Sequence, residues 1–279
     1  MQPPLVSRFE RYEPPLTPRK VLNTPTMAEK QPEKAPALGI QRGNYNRSLA
    51  GPLLLGMGRI ISLPLQHLVI TAHPLSRFQI PRPPTHGVLD LPIMGAQPQI
   101  STIFLGMTAT LILKQNVWIW GYCNELITVP FAFFGVMVPA IYESLSALVF
   151  TSAASNPLWR PEFLYAGAAV HLLAAVTELV SELGRASFKS KKENKGRLYR
   201  GGLLGLVRHP NYAANVVYGA AYGFAAGGPL YALFTGAFYW SNLTGNATPT
   251  KEKYLAERYP EEWEGYKREV RWKMFPGIF

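Results

Sequence analysis

The stretch Leu126-Ile-Thr-Val-Pro-Phe-Ala-Phe-Phe-Gly-Val-Met-Val-Pro-Ala-Ile-Tyr-Glu-Ser-Leu-Ser-Ala-Leu-Val-Phe150 carries one charge, Glu143, and two prolines, Pro130 and Pro139. A helix rises about 1.5 Å per residue, so a run of this length crosses a hydrocarbon core of about 30 Å with some tilt. That reading places the chain in a membrane. Upstream, Ile100 to Leu113 is also apolar, and Trp118, Trp120 and Tyr122 then mark a membrane–water boundary. Leu49 to Ala72 is apolar but holds Pro52, Arg59, Pro64 and His67. It is expected to kink or to lie partly against other helices, because a bare Arg in lipid is costly. Residues 73–99 read as a Pro-rich connector. Residues 1–47 are a Pro-rich head with no apolar periodicity, expected to be mostly disordered. The head lacks the apolar core of a signal peptide, and Glu10, Glu13, Glu29 and Glu33 argue against a mitochondrial leader.

Downstream, Phe163 to Leu183 is a further span, carrying His171, Glu178 and Glu182. Tyr212 to Ala226 and Leu230 to Leu243 are joined by Gly227-Gly228-Pro229, a helix hairpin with a clear turn signal. In the polar tail, Leu255, Tyr259, Trp263, Tyr266 and Val270 recur at spacings of 4, 4, 3 and 4, one helical face. Pro260, followed by Glu261, Glu262 and Glu264, splits that face into two helices. The expectation is an all-α, polytopic membrane bundle of about 5–7 transmembrane helices, comprising residues 48–279, with amphipathic C-terminal helices on the cytosolic side.

Charge agrees. Only 16% of residues are charged, against the usual ~25%, while the net charge is +11. The basic residues lie in tails and short connectors, which suits loops beside anionic lipid rather than a nucleic-acid surface. Lys189, Lys191, Lys192, Lys195, Arg197, Arg200 and Arg208 share one connector, expected to be cytosolic. The hairpin leaves and returns, so the tail is expected on the same side. The single cysteine, Cys123, excludes an internal disulfide and a multi-Cys zinc site, and the five histidines show no metal-binding spacing.

At the end of the basic connector stands Gly202-Leu-Leu-Gly-Leu-Val-Arg-His-Pro-Asn-Tyr212. Two readings stand. Arg208, His209, Asn211 and Tyr212 suit capture of an anionic, planar molecule, by ion pairing, directed hydrogen bonds and stacking. They equally suit a snorkelling Arg and a belt Tyr at a helix end. Glu178 and Glu182 at membrane depth are functional candidates, with pairing of Glu182 to Arg185 as the alternative. Glu143, with Tyr142 beside it, is a weaker candidate for a polar pocket, and His171 reads as a packing residue bonded across the bundle. Glu252 reads equally as a solvated first-turn acid, and Trp263 and Tyr266 as docking residues of the tail. Gly201, Gly202 and Gly205 make no dinucleotide fingerprint, since no strand precedes them.

Four blocks follow one another between residues 162 and 279: Glu178, Glu182 and Phe188-Lys189; Asn194-Lys195-Gly196; Arg208-His209-Pro210-Asn211-Tyr212; and Pro249-Thr250-Lys251-Glu252-Lys253-Tyr254-Leu255 running on to Tyr266 and Phe275-Pro276. In this order they resemble the membrane reductase family whose C-terminal domain is that of the steroid 5-alpha-reductases. The resemblance implies NADPH held between the last helices and the cytosolic connectors of an endoplasmic reticulum protein. A lipid substrate would enter from the bilayer, and a polarised double bond, often an enone, would be reduced. Carried over by position, Lys189, Asn194, Arg208, His209, Asn211, Tyr212 and Glu252 are the cofactor-binding candidates, and Glu178 and Asn215 the catalytic ones. The family commonly has an acid where Asn215 stands, and an Arg and two aromatics where Leu204 to Val207 stand. Isoprenylcysteine and phospholipid methyltransferases share the Arg-His-Pro-x-Tyr motif. The alternatives are therefore an S-adenosylmethionine-dependent methyltransferase and a catalytically drifted membrane protein of the same fold.

Overall fold

The first helix turns the usual distribution of side chains inside out. Along α1 (Ala50–Ala72) the buried stripe includes Arg59, Ser62 and Gln66, while Leu53, Met57, Ile60, Ile61 and Leu68 face outward. The same inversion holds at Leu173, 67% exposed, and Leu233, 70% exposed, against 1% for Arg59 and 0% for Glu143. Water would penalise that surface heavily and lipid does not. The chain is an integral membrane protein, and its architecture, a computed structural model, covers residues 39–46, 48–81 and 99–279. The remainder of the head and most of the 73–99 connector lie outside the described residues.

The described residues form a helical bundle without strands. After α1 come α2 (Gln99–Val117), α3 (Val129–Thr151), α4 (Pro161–Ser190), α5 (Pro210–Gly227) and α6 (Pro229–Asn242), then the tail helices α7 (Thr248–Arg258) and α8 (Pro260–Glu269). Among the described residues, three helical segments are long and apolar enough to cross a membrane: Ala50–Phe78, Val129–Thr151 and Pro161–Ser190. The boundaries follow local chemistry. Thr128 caps α3 by accepting from the Phe131 N–H at 3.2 Å, with Pro130 in the first turn. Pro64 and Pro139 are carried inside α1 and α3. Helix α4 runs seven residues beyond the apolar span expected to end at Leu183, because Glu182 and Arg185 pair one turn apart and Gly184 to Ser190 stays helical in a polar setting. Its 30 residues reach about 45 Å, more than the ~30 Å core, so its basic end projects beyond the hydrocarbon.

The hairpin is a zipper of small residues. Gly219, Gly223 and Gly227 recur every fourth position along α5, and a Cβ on each would fall 2.3 Å from Tyr239, 2.1 Å from Thr235 and 2.7 Å from Val149, with Tyr231 at 2.8 Å from the third. The absent side chains let α6 lie against α5 at backbone distance. Gly228 makes the turn at φ +78°, where an L side chain would be strained and would meet the Leu158 carbonyl.

Polar groups inside the bundle are paired across it. Arg59 Nη2 lies 2.5 Å from Glu143 Oε1 and Nη1 lies 3.1 Å from Oε2, while Arg59 Nε donates to Gln115 and the Ser62 hydroxyl donates to Glu143. This ties α1, α2 and α3 together, so Glu143 belongs to a closed ion pair rather than to a pocket shared with Tyr142. His171 bridges α5 and α2 through the carbonyls of Tyr218 and Met107, each at 3.1 Å. Trp263, Tyr266, Val270 and Leu198 form a small core with Leu255 and Tyr259 packed against it, so the tail face read from its spacing is one contiguous cluster despite the break at Pro260.

Candidate functional site

A cavity of about 1500 Å³ opens between α2, α3, α4, α5, α6, the tail helices and the segment 39–46. It exceeds the roughly 300–1,000 Å³ of an ordinary small-molecule pocket, which leaves space for two ligands side by side. Its two ends differ in chemistry. Val138, Tyr142, Asn215, Tyr218, Phe238 and Tyr239 line the end among the helices, and Arg185, Lys189, Lys195, Lys251 and Arg258 line the end near the connector and tail.

The motif at 208–212 divides its labour between these surroundings. Arg208 donates through Nε to Glu252 Oε1 at 2.8 Å and through Nη1 to the carbonyls of Val270 and Arg271, both at 2.8 Å. The backbone N–H groups of Arg208 and His209 donate to Trp272 and Lys273 carbonyls, at 3.0 and 2.7 Å. The motif thus pins the end of the tail to the start of α5. His209 is fully buried, stacks on Tyr212 at 5.2 Å and places Nε2 3.2 Å from the same Glu252 oxygen. Burial pulls His209 down to about 4, so at neutral pH Nε2–H donates to the carboxylate and Nδ1 is a bare acceptor without a partner. Glu252 is held at about 2: burial raises it, but hydrogen bonds from His209 and Arg208 and the Arg208 charge outweigh that.

Of the residues expected from the sequence, the structure brings Glu178, Lys189, Arg208, Asn211, Tyr212 and Asn215 to the cavity wall. Asn194, His209 and Glu252 are not on it. Asn194 closes the end of α4 by donating to the Phe188 carbonyl at 3.0 Å. His209 and Glu252 stand behind Arg208 and Tyr212. Lys189 donates to the Arg197 carbonyl and to the Tyr259 hydroxyl, at 2.6 Å for the latter. Asn215 spends one N–H on the Asn211 carbonyl at 2.6 Å and accepts from Tyr218 at 2.5 Å, which leaves a second N–H free to donate. Glu178 pairs at 2.5 Å with Lys114, whose ammonium also donates to Tyr218 at 3.3 Å and sits 4.5 Å over its ring.

Lys114, Tyr218, Arg185, Lys251 and Arg42 were not singled out for the site by sequence reasoning. Lys114 carried a signal that could have found it: a charge one residue past an apolar run, with Glu178 in another span to neutralise it. Lys251 stands in a quoted block but its role depends on the fold. It is half-buried on the cavity wall, 4.9 Å over the Tyr212 ring, and desolvation there pulls it down to about 7.

Comparison with known proteins adds three similarities. The chain is 35% identical over 126 residues to the "Probable O-methyltransferase ustE" of Ustilaginoidea virens, covering 42% of this chain and 44% of that protein. It is 28% identical over 86 residues to the 7-dehydrocholesterol reductase of Danio rerio, covering 31% of this chain and 18% of that protein. The chain therefore spans less than half the length of either relative. Residues 114–270, more than half of the chain, match the family described as "Protein of unknown function (DUF1295)", and they run from Lys114 at the inner end of the cavity to Val270 behind Arg208. The chain belongs to that family.

Proposed function

We propose that this protein is an integral membrane oxidoreductase that reduces a carbon–carbon double bond in a hydrophobic enone, sterol-like or lipid, with NADPH as cofactor. One observation carries the choice of cofactor: among the described residues lining the cavity, eight are cationic (Arg42, Lys114, Arg185, Lys189, Lys195, Arg208, Lys251, Arg258) and three are acidic (Glu125, Glu178, Glu182). A phosphorylated dinucleotide carries several negative charges and is favoured there. S-adenosylmethionine carries a sulfonium cation and is not. The similarity to a reductase named for a sterol supports the same reading.

NADPH, when bound, supplies the hydride. The chain's own residues bind and orient. Lys189, Lys195 and Arg258 would present charge to phosphate groups, Arg208 holds the tail in place behind them, and Asn211 and Tyr212, on the cavity wall, would fix the ribose or nicotinamide. At the inner end, the free N–H of Asn215 is a donor for a substrate carbonyl, in place of the acid common at that position. Tyr218, fed by the Lys114–Glu178 pair, holds the proton for the carbon beside that carbonyl. The basic connector and tail face the cytosol, in the endoplasmic reticulum membrane, and residues 162–279 form the reductase-like part of the membrane domain.

The similarity to a probable O-methyltransferase favours a second reading, methyl transfer from S-adenosylmethionine in the same cavity. Equilibrium binding to the purified protein in detergent separates the two. NADPH binding that saturates and weakens on Lys189→Ala is the expected result. Saturable S-adenosylmethionine binding with no NADPH binding would overturn the proposal, and turnover of neither class across a lipid panel would point to a drifted site.

A further inference from the structure

The segment 39–46 precedes the first membrane helix and lies outside the matched region 114–270, yet it forms a wall of the cavity. It is fastened to the loop before α3: Gln41 pairs with Leu126 in an antiparallel bridge, Leu126 N–H donates to the Asn44 carbonyl at 2.8 Å, and Gly43 N–H donates to Glu125 at 3.1 Å. Gly43, at φ +78°, turns the backbone against the Tyr254 ring, and Arg42 extends over that ring with its guanidinium 5.9 Å from the centroid. Arg42 donates a hydrogen bond to the Tyr212 hydroxyl and meets Glu125 at 3.8 Å. From α4, Arg185 enters the same region beside Glu182. From α7 comes Lys251, 4.9 Å over Tyr212 and held by no ion pair among the described residues.

Three cations from three segments distant in sequence therefore converge around Tyr212, Lys251 over its ring and Arg42 and Arg185 near its hydroxyl, against two carboxylates. Glu182 is engaged by Arg185, and Glu125 is shared between Arg42 and a backbone N–H. The remaining guanidinium N–H groups of Arg42 and Arg185, with an ammonium, converge from three directions and so match the oxygens of a tetrahedral oxyanion better than the two of a carboxylate. We infer that Arg42, Arg185 and Lys251 form a subsite for a phosphoryl group beside Tyr212, and that the 39–46 segment is part of the binding site because it delivers Arg42. The ligand class is a phosphate monoester or diphosphate, from a nucleotide or from a lipid headgroup. This rests on the reading of the cavity as a ligand site, not on hydride chemistry. The position of Lys251 at about 7 fits: a bound anion restores its proton, so binding takes up protons near neutrality. The groups facing Lys251 are Glu182, Arg185, Arg42 and Glu125, with the Tyr212 ring below it.

The test is calorimetric titration of the full chain in detergent with pyrophosphate, 2′,5′-ADP and farnesyl diphosphate, at pH 6.5 and 8.5. Saturable pyrophosphate binding is expected, at least about tenfold weaker in Arg42→Ala and in Lys251→Met, partly rescued by Arg42→Lys, and weaker at the higher pH. Thermal unfolding of each variant reports whether the fold is intact, and Arg42, on a surface segment, is the substitution least able to disturb it. Tighter 2′,5′-ADP than farnesyl diphosphate assigns the subsite to a nucleotide, and the reverse order assigns it to a lipid. No saturable binding of any probe, or binding indifferent to both substitutions in folded protein, overturns the inference. Pyrophosphate binding without NADPH binding would keep the subsite and remove the reductase reading.

Discussion

Replacing Glu252 by Gln tests whether the motif at 208–212 is a strut as well as a site. The side chain of Glu252 is 18% exposed and serves Arg208 and His209 with one oxygen. Its carboxyl falls from 4.5 to about 2 on folding, which corresponds to about 3 kcal/mol of stability at neutral pH. Removing one member of a buried pair costs about 3–5 kcal/mol, but here Arg208 keeps the carbonyls of Val270 and Arg271, so the lower end applies. Glu252→Gln is therefore expected to lower the melting temperature by about 6–12 °C at pH 7. The sign with pH follows from a depressed carboxyl: its stabilisation is complete above 4.5 and is lost as pH falls toward 2. His209, neutral when folded down to about 4 and charged when unfolded below 6.5, begins the acid loss earlier, between 6.5 and 4. Fluorescence melts in detergent from pH 7 to pH 3 should show wild type losing stability in both windows, and the variant starting lower with the 4.5-to-2 limb absent. Equal melting temperatures at pH 7, or an equally steep lower limb, would refute the account.

Arg59→Met leaves Glu143 buried with the Ser62 hydroxyl but no counter-charge and is expected to destabilise by about 3–5 kcal/mol, while the double variant Arg59→Met/Glu143→Leu recovers most of the loss, both read by thermal unfolding. Gly223→Val drives a side chain into Thr235 and should separate α5 from α6, seen as loss of folded protein on size-exclusion chromatography in detergent, whereas Gly245→Val, with nothing near its Cβ, should not. Tyr218→Phe removes the hydroxyl between Lys114 and Asn215. It should cut turnover of any accepted enone by about 10²–10⁴-fold while NADPH binding is unchanged, and an undiminished rate removes Tyr218 from proton transfer.

Much of the bundle was legible because its signals are local. A low-charge run long enough for the bilayer, a Gly-Gly-Pro turn and a 4-4-3-4 apolar face each follow from backbone geometry and solvent within a few residues. The Arg59–Glu143 pair was half legible: both charges were visible as misfits in apolar runs, but nothing in the order of residues paired positions 84 apart. The glycine repeat at 219, 223 and 227 was present to be read, but what it meets, Tyr239 and Thr235, depends on the hairpin closing. Within the motif, types alone do not separate a wall residue from a strut. Tyr212 and Asn211 reach the cavity, whereas His209 is turned toward Glu252 of the returning tail.

By itself the sequence determined a helical membrane chain, its hairpin, its split amphipathic tail and the place of the Arg208–Tyr212 motif. These depend on hydrophobic run length, turn chemistry and periodicity, which act over one or two turns of chain. Tertiary structure alone decided that Arg208 clamps Val270 and Arg271, that Lys114 meets Glu178 and Tyr218, and that Arg42, Arg185 and Lys251 gather around Tyr212. In the low-dielectric interior a charge without a partner is costly, and which partner it finds is set by the helix faces that packing brings together.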